Sequence, residues 1–233
     1  MNINMPLPIS RCVNVLLVLL VAIVASSVNA AELPQTTHDG LELVENSDLR
    51  AVYVTPGASL DQYQRIAMLD CFVSFKKNWQ RDYNRDVIGL QRRISDDDME
   101  RMKTKLASEF KRIFTQELET KGGYEIVTHT GEDVLLLRPA IINLDVTAPD
   151  TRTAGFTRTY TASPGQMTLY LELYDSVTNS IIARIIDPEG GRGSAFFQIT
   201  NSVSNLAEAD RILRQWADVL RSHLSAVKDD SGN

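Results

Sequence analysis

The sequence predicts an α/β (α+β) fold: a two-layer sandwich of a mixed, mostly antiparallel sheet with two long amphipathic helices packed on it. The first observation is that apolar residues recur every three or four positions over 99–118 and again over 206–227, which is typical of helices. The second is that apolar and polar residues alternate in short segments, most clearly over 167–174, as in half-buried strands. Helices and strands that each have one apolar face bury those faces against each other, which favours two layers.

The first 30 residues have the organisation of a cleaved secretory signal peptide. Arg11 precedes a short apolar stretch over residues 15–25, and small residues lead up to Ala30, after which we expect cleavage. The rival interpretation, a membrane-spanning helix, requires about 20 apolar residues, more than this stretch contains. A lipoprotein signal would place a cysteine directly after the apolar stretch, whereas Cys12 precedes it and Ala31 begins the mature chain. We therefore expect export to a periplasm without a lipid anchor.

The start of the mature chain is weakly patterned. Residues 31–48 are polar, which predicts a flexible lead-in to a single domain over 49–228. Leu49–Thr55 has the composition of a strand, and Gln64–Phe75 that of one long strand or two short ones. Lys76–Arg93 is polar and basic with aromatic residues inside it, which predicts an excursion over the surface.

The clearest element is a helix that begins after Ser95. Asp98 lies three residues beyond Ser95, the spacing of a capping box, and the acids over 96–98 suit the positive end of a helix dipole. Gly122 and Gly123 provide a left-handed stop. The apolar stripe of this helix consists of Met99, Met102, Leu106, Phe110, Ile113, Phe114 and Leu118.

Three further strands are predicted after that helix. Tyr124–Thr128 leaves the helix, and Val134–Leu137 and Ile141–Val146 follow as separate strands. Pro139 lies between the last two and predicts a bend or an edge position, because proline cannot donate a hydrogen bond to a sheet. Residues 148–165 are rich in Thr, Pro and Gly, which predicts a loop or a loosely paired hairpin.

The last part of the chain predicts a hairpin and a helix. Met167–Tyr174 alternates as a half-buried strand, and Ser180–Asp187 returns as its hairpin partner. Ser202 or Ser204 caps the second long helix, and residues 229–233 form a disordered tail. The apolar stripe of this helix consists of Leu206, Ile212, Leu213, Trp216, Leu220, Leu224 and Val227.

The composition restricts the classes of function. The formal net charge is −6, from 24 basic and 30 acidic residues, so we expect no nucleic-acid partner, because such proteins present a basic surface. Removal of the signal peptide leaves about 200 residues, enough for one sizeable core. Cys71 is then the only cysteine, which rules out an intramolecular disulfide, and its apolar neighbours favour burial over pairing between chains.

No sequence motif assembles a metal, cofactor or catalytic site. The three histidines occupy different elements and lack the spacing of metal ligands. The acids over 96–98 lack the alternating ligands and the glycine of a calcium loop. The glycine-rich segment 189–194 is followed by apolar residues and not by a helix, unlike a phosphate loop, and Ser194 lacks a Gly-x-Ser-x-Gly elbow. We expect no metal and no cofactor, and no catalytic residue is predicted.

Two segments in which basic residues alternate with aromatic ones are the candidates for a partner surface. Such a surface would suit anionic lipid, peptidoglycan, lipopolysaccharide or an acidic protein. The alternative is a solvated excursion whose Trp79 packs on the body of the domain, with Asp82 and Asp86 neutralising part of the charge. The candidate residues are Lys76, Lys77, Trp79, Arg81, Tyr83, Arg85, Arg92, Arg93, Arg152 and Arg158.

Several stretches, in their order along the chain, resemble the domain-of-unknown-function family 3313 (DUF3313). They are Val52–Ala58, Tyr63, Leu69–Phe75 followed by Lys77-Asn78-Trp79, Ile141–Pro149, Gly165–Asp175 and Arg211–Leu224. The resemblance covers nearly all of the mature chain and implies a bacterial envelope protein, many members of the family being lipoproteins. The lipid-accepting cysteine is missing here, so an anchor is not implied. The family supplies no activity and no catalytic residues.

The resulting hypothesis is an exported envelope protein that acts as a non-catalytic binding or accessory module for an envelope partner. The alternative is a periplasmic hydrolase whose site is assembled by the fold, for instance near Asp145, Tyr170 and Glu172. A third interpretation is a self-assembling structural protein.

Overall fold

A computed structural model describes the backbone of residues 33–86, 93–146, 159–160, 166–190, 199–200 and 202–231. Side chains are described for these residues except 159–160, 190, 199–200, 202–207 and 226–231. The chain divides into two units, Met1–Glu32 and Leu33–Asn233, and every described residue lies in the second. The predicted signal peptide therefore lies outside the described residues.

The described part contains three α-helices and ten strands. The helices are α1 (Trp79–Asp86), α2 (Asp96–Gln116, continued by a π-helical turn over Glu117–Lys121) and α3 (Ser202–Ser231). The strands are β1 (Glu42–Leu43), β2 (Ala51–Val54), β3 (Arg65–Met68), β4 (Phe72–Phe75), β5 (Glu125–Val127), β6 (Val134–Asp145), β7 (Thr159–Tyr160), β8 (Gln166–Asp175), β9 (Ile181–Gly190) and β10 (Ile199–Thr200). The predicted α/β class is confirmed, with the short α1 added to the two long helices.

Eight of these strands form one mixed sheet, in the order β1-β2-β9-β8-β6-β3-β5. β3 and β4 both pair with the same edge of β6, β3 with its first residues and β4 with its later ones. The half from β1 to β6 is antiparallel and contains the predicted β8–β9 hairpin, whereas β3, β4 and β5 are joined in parallel. β7 and β10 form a separate antiparallel pair.

The main core lies between one face of the sheet and the two long helices. The predicted stripe of α2 is fully buried at Phe110 and Phe114, whose rings stack with centroids 3.9 Å apart, and α3 contributes Trp216. Alternate residues of the central strands, such as Leu137 and Leu171, pack against them. Each such side chain contributes about 1.5–3 kcal/mol on burial, so this face accounts for most of the stabilisation.

The two ends of the first long helix agree with the sequence prediction. Ser95 and Asp98 form the predicted reciprocal capping box at the start of α2. Gly123 ends the π-helical turn with φ of +67°, the left-handed conformation that glycine adopts without strain. At the other end of the chain α3 runs to Ser231, so the tail predicted to be disordered over 229–233 is helical as far as that residue.

The separation of 134–137 from 141–146 into two strands is wrong, because β6 passes through Pro139 without a break. The Leu137 carbonyl accepts from Leu69 N (2.9 Å), so Leu137 and, two residues on, Pro139 direct their backbone groups towards β3 and β4. Pro139 lies between the residues of β6 that pair with β3 and those that pair with β4. Its missing N–H therefore falls where neither strand would accept a hydrogen bond.

The lead-in predicted to be flexible over 31–48 packs against the sheet over its described residues. β1 pairs with β2, and Leu41 is fully buried beside Ala51 and Tyr53. Residues 33–43, here called the N-terminal strap, contain few apolar side chains, which is why their composition predicted flexibility. The tertiary contacts of Leu41 and an ion pair of Asp39 hold the strap in place.

Candidate functional site

The predicted partner surface is organised by α1, which the sequence did not predict as a helix. Trp79 at the start of α1 is 6% exposed. Its ring stacks on Phe75 (centroids 4.5 Å apart) and on Tyr83, one helical turn later (5.5 Å). The aromatic residues of the candidate set therefore attach the helix to the body of the domain, as the alternative interpretation of this segment expected.

Polar contacts also fix the inner side of α1. Asn84 exchanges two hydrogen bonds with the backbone of Ile94: the Ile94 N–H donates to Asn84 Oδ1 (2.7 Å), and Asn84 Nδ2 donates to the Ile94 carbonyl (2.9 Å). Gln80 Nε2 donates to Asp96 Oδ1 (2.8 Å) at the start of α2. α1 is thereby held against the beginning of the long helix.

The described basic residues of this segment are exposed, Arg81 and Arg85 on α1 itself and the others on the residues that flank it. Arg81, Arg85 and Lys76 have side chains 67%, 68% and 60% exposed, and Lys77 and Arg93 are also exposed. Arg81 and Arg85 both pair with Asp82 (3.1 and 3.5 Å). Lys76 pairs with Asp145 (3.2 Å). Of the remaining candidates, Arg92, Arg152 and Arg158 lie outside the described residues, and whether this surface binds a partner stays a prediction.

A second charged cluster lies on the sheet face opposite the long helices. Arg184 of β9 is 8% exposed and contacts two carboxylates. Nη1 and Nη2 donate to the two oxygens of Asp39 in the strap (2.9 and 2.6 Å), and Nε donates to Glu172 Oε1 (2.9 Å). Tyr170 and Tyr174 of β8 donate their hydroxyls to Glu172 (3.0 and 2.8 Å). We call these five residues the Arg184 cluster.

The protonation equilibria in the Arg184 cluster are shifted consistently. Burial would raise the pKa of Glu172, but hydrogen bonds from Tyr174, Arg184 and Tyr170 hold it below the ordinary value. Hydrogen bonds from Arg184, above all, hold the pKa of Asp39 well below its usual range. Burial first, and then the hydrogen bond that each hydroxyl donates to Glu172, raise the pKa of Tyr170 and Tyr174. All five groups therefore keep one protonation state around neutral pH.

This arrangement stabilises the fold and offers little for acid–base chemistry. A general acid or base works best when its pKa lies near the working pH, and the shifts in the Arg184 cluster run the other way. Glu172 already accepts hydrogen bonds from three side chains. Asp145, named with Tyr170 and Glu172 in the hydrolase alternative, instead pairs with Lys76. The structure joins Tyr170 to Glu172 and places Asp145 in a different ion pair.

A buried carboxylate on the helix-covered face joins three elements. Asp187 of β9 is 5% exposed. It accepts from the indole N–H of Trp216 in α3 (2.7 Å) and from the backbone N–H of Arg50, just before β2 (2.8 Å). Each donor bonds to a different oxygen of the same carboxylate. The carboxylate therefore fixes α3 relative to the sheet.

Sequence reasoning missed Asp39 and Arg184. A signal was present for Arg184, which is the single charged residue in the apolar run Ile181–Ile186. A charge at the centre of such a strand needs a buried partner. Nothing local marked Asp39, because its partner is 145 residues away.

The metal and cysteine predictions can be compared with the described residues. Within them, no three histidine, cysteine, aspartate or glutamate side chains are grouped so as to hold a metal ion. Cys71 is 8% exposed, as its neighbours predicted, and burial raises the pKa of its thiol to about 12.

Among the described residues, none of the helices has the length and apolar character to span a membrane.

Comparison with known proteins identifies a family and several solved structures of low similarity. The model of the family described as "Protein of unknown function (DUF3313)" matches residues 32–220. No curated protein matches the sequence.

The similar solved structures have low sequence identity. A PelC dodecamer from Paraburkholderia phytofirmans is 11% identical, with 72% of this chain and 95% of that chain covered and a TM-score of 0.36. The hypothetical protein CT253 from Chlamydia trachomatis is 12% identical, with 69% and 98% covered and a TM-score of 0.34. Protein XCC0632 from Xanthomonas campestris is 13% identical, with 77% and 94% covered and a TM-score of 0.37.

Proposed function

The chain belongs to the DUF3313 family, whose function is unknown, and we propose that it is an exported periplasmic accessory protein that binds an anionic partner of the cell envelope. Export is supported by the signal-peptide pattern of residues 1–30. Binding is assigned to the exposed basic residues of this segment, here called the outer surface of α1: Arg81 and Arg85 lie on the helix, and Lys76, Lys77 and Arg93 flank it in sequence. No catalytic step is part of the proposal.

The observation that carries the proposal is the contrast between the two sides of α1. The inner side is fixed by the buried Trp79 and by the hydrogen bonds of Asn84 to Ile94. The outer side presents arginines whose side chains are about two-thirds exposed. A surface whose backbone is already ordered loses little conformational entropy when it binds, which favours association.

The ion pairs on α1 do not prevent binding. Exposed pairs such as Arg81–Asp82 and Arg85–Asp82 are worth about 0–1 kcal/mol, because water and salt screen them. An anionic partner that approaches with several negative groups can therefore replace Asp82 at little cost. The association is expected to weaken as salt concentration rises.

The experiment is size-exclusion chromatography with light scattering on the mature domain, with and without detergent-solubilised envelope extract. We expect the extract to shift the domain into a discrete larger complex whose components are then identified by mass spectrometry. The double variant Arg81→Glu/Arg85→Glu should lose the shift. A wild-type domain that stays monomeric in extract contradicts the proposal.

A matched control is available on α3. Arg211 and Arg214 are also exposed helix arginines in intrahelical ion pairs, with Glu208 and Asp210. Arg211→Glu/Arg214→Glu changes the net charge by the same amount as the α1 variant. If both double variants lose the complex, the interaction depends on net charge and the assignment to α1 is wrong.

Export is tested separately by expressing the full chain and analysing the periplasmic fraction. We expect a mature species whose N-terminal residue is Ala31. An unprocessed chain retained in the cytoplasm would contradict the periplasmic assignment.

A further inference from the structure

The strap, residues 33–43, is a hairpin with hydrogen bonds of its own. Leu43 N donates to the Gln35 carbonyl (2.9 Å), and Thr37 N donates to the Leu41 carbonyl (2.9 Å). Leu41 N in turn donates to Thr37 Oγ1 (2.9 Å). A hairpin that pairs its backbone groups internally keeps these hydrogen bonds wherever it docks. The strap can therefore move as one unit.

Three kinds of contact dock the strap on the rest of the domain. Arg184 Nη1 and Nη2 donate to the two oxygens of Asp39 (2.9 and 2.6 Å). Leu41 is fully buried against Tyr53. β1 pairs with β2 and, as the outermost described strand on this side of the sheet, covers the edge of β2. None of these contacts involves the covalent connection between β1 and β2.

The connection between the strap and β2 is short and exposed. Residues 44–46 and Asp48 are exposed, and the chain is buried again at Leu49. Asn46 has φ of +58°, the left-handed conformation that is unfavourable for residues other than glycine. Val44, directly after the strap, is apolar and 37% exposed. Straightening the connection would release Asn46 from this conformation and carry the strap away from its own β2.

A strap that simply leaves its site is unfavourable. Arg184 would keep Glu172 but lose Asp39, and a buried charge that loses a partner is destabilising. Leu41 would enter water, and the edge of β2 would be left unpaired. The vacated site would therefore accept a segment that has a carboxylate, an apolar side chain two residues later and a strand edge. In a solution of this protein, the strap of another copy is such a segment.

We propose that two copies of this chain exchange their straps, so that the strap of each copy docks on Arg184 and β2 of the other. Every docking contact of the single chain is then made between the copies, which is the low-cost route to a dimer known as domain swapping. A short connection under strain favours such an exchange. The two straightened connections run side by side and cover Val44.

Association then depends on concentration and on Asn46. The strap meets its own site at a roughly millimolar effective concentration, so wild-type dimers should accumulate as the protein approaches that range. Asn46→Val should lower the dissociation constant of the dimer by roughly tenfold, because a β-branched residue disfavours the left-handed conformation of the single chain. Asn46→Gly should raise the dissociation constant by a similar factor, because glycine adopts that conformation without strain.

The measurement is light scattering and sedimentation of the purified mature chain over a concentration series, without added extract. Asn179→Val is the matched control, since Asn179 also has a left-handed φ (+55°) but lies in the turn between β8 and β9. It should associate like the wild type. A dissociation constant that Asn46→Val and Asn46→Gly leave unchanged overturns the proposal. So does an Asn46→Val chain that stays monomeric up to millimolar concentration.

A mixture of two variants tests the exchange directly. Asp39→Arg cannot dock its strap on its own Arg184, and Arg184→Met cannot hold its own Asp39. In a mixed dimer the strap of Arg184→Met reaches an intact Arg184, and the strap of Asp39→Arg reaches a Glu172 that no longer contacts position 184. We expect dimers in the mixture at concentrations where each variant alone is monomeric, detected with one variant enlarged by a fused tag. Absence of mixed dimers, although both variants unfold cooperatively in urea, is evidence against exchange and overturns it.

The exchange is independent of the function proposed for α1. A weaker dimer in Asn46→Gly with an unchanged shift in envelope extract would leave the α1 proposal standing. Loss of the shift in Arg81→Glu/Arg85→Glu with an unchanged dimer would leave the strap exchange standing.

Discussion

The Arg184 cluster and the outer surface of α1 contain the same chemical pair, arginine with carboxylate, in two different environments. Arg184 is 8% exposed, contacts two carboxylates, and joins the strap to β8 and β9. Arg85 is 68% exposed and pairs within its own helix. The first arrangement connects residues far apart in sequence, and the second connects close neighbours.

The difference shows which arginines hold the fold and which are available to a partner. A buried charge that loses its partner is destabilising, because it has given up its hydration. An exposed charge that loses its partner is solvated again at almost no cost. We therefore expect stability to depend on Arg184 and binding to depend on α1, and the four predictions below test that division.

The largest effect is expected for Arg184→Met, which removes the guanidinium that donates hydrogen bonds to both Asp39 and Glu172. We expect a loss of about 3 kcal/mol in the free energy of unfolding, measured by urea denaturation. Arg184→Lys should recover only part of the loss, because lysine cannot donate to Asp39 and Glu172 in the same forked geometry. A loss below about 0.5 kcal/mol in Arg184→Met would remove the distinction between the two regions.

An intermediate effect is expected for Trp216→Phe, which removes the indole donor from the buried Asp187. We expect a loss of about 1–3 kcal/mol by the same denaturation assay. Trp79→Phe is the control, because it also replaces a buried indole by a smaller ring but removes no donor from a buried carboxylate. It should lower the free energy of unfolding by less than Trp216→Phe does. Equal losses for the two variants would assign the effect to ring volume alone.

Acid should reduce the contribution of the Arg184 cluster. The folded-state pKa values of Asp39 and Glu172 lie below the ordinary carboxyl values. The two carboxylates therefore contribute their full stabilisation at pH values above the ordinary carboxyl pKa. This stabilisation is lost as the pH falls from about 4 through the lower folded-state pKa values. We expect the stability difference between wild type and Arg184→Met to narrow over that range. A difference that widens in acid would contradict the assigned ion pairs.

The smallest effect is expected for Arg85→Ala on α1. Its pairs with Asp82 and Asp86 are exposed. We expect the free energy of unfolding to change by less than about 0.5 kcal/mol, with or without added salt. A loss comparable to that of Arg184→Met would show that α1 contributes to the fold and would weaken its assignment to binding.

Elements defined by neighbours in sequence could be predicted from sequence. The capping box of Ser95 and Asp98 spans three residues. The β8–β9 hairpin turns at Asp175, whose carboxylate accepts from the backbone N–H of Val177 and of Thr178 (3.0 and 2.7 Å). Hydrogen bonds over such short separations need little besides the local chain, so a local pattern is enough to predict them.

Elements defined by distant contacts could not be predicted in the same way. Pro139 interrupts a strand pattern, and its tolerance in β6 depends on where β3 ends and β4 begins. The strap has the composition of a flexible segment, and its order depends on the ion pair with Arg184 and on the packing of Leu41 against Tyr53. The partner surface was predicted as a set of residues, but the fixation of α1 through Trp79 and Ile94 was not.

The sequence by itself determined the fold class, the two long helices, the capping box of α2, the hairpin, and the family resemblance. These follow from periodicity and from contacts within a few residues. Only the tertiary structure decided that Asp39 meets Arg184, that Asp187 meets Trp216, and that Phe72 lies outside the core while Cys71 and Val73 lie inside it. The physical reason is that a buried charge or an apolar side chain is stabilised by the residues that the fold brings beside it. Those residues are distant in sequence, so no local pattern identifies them.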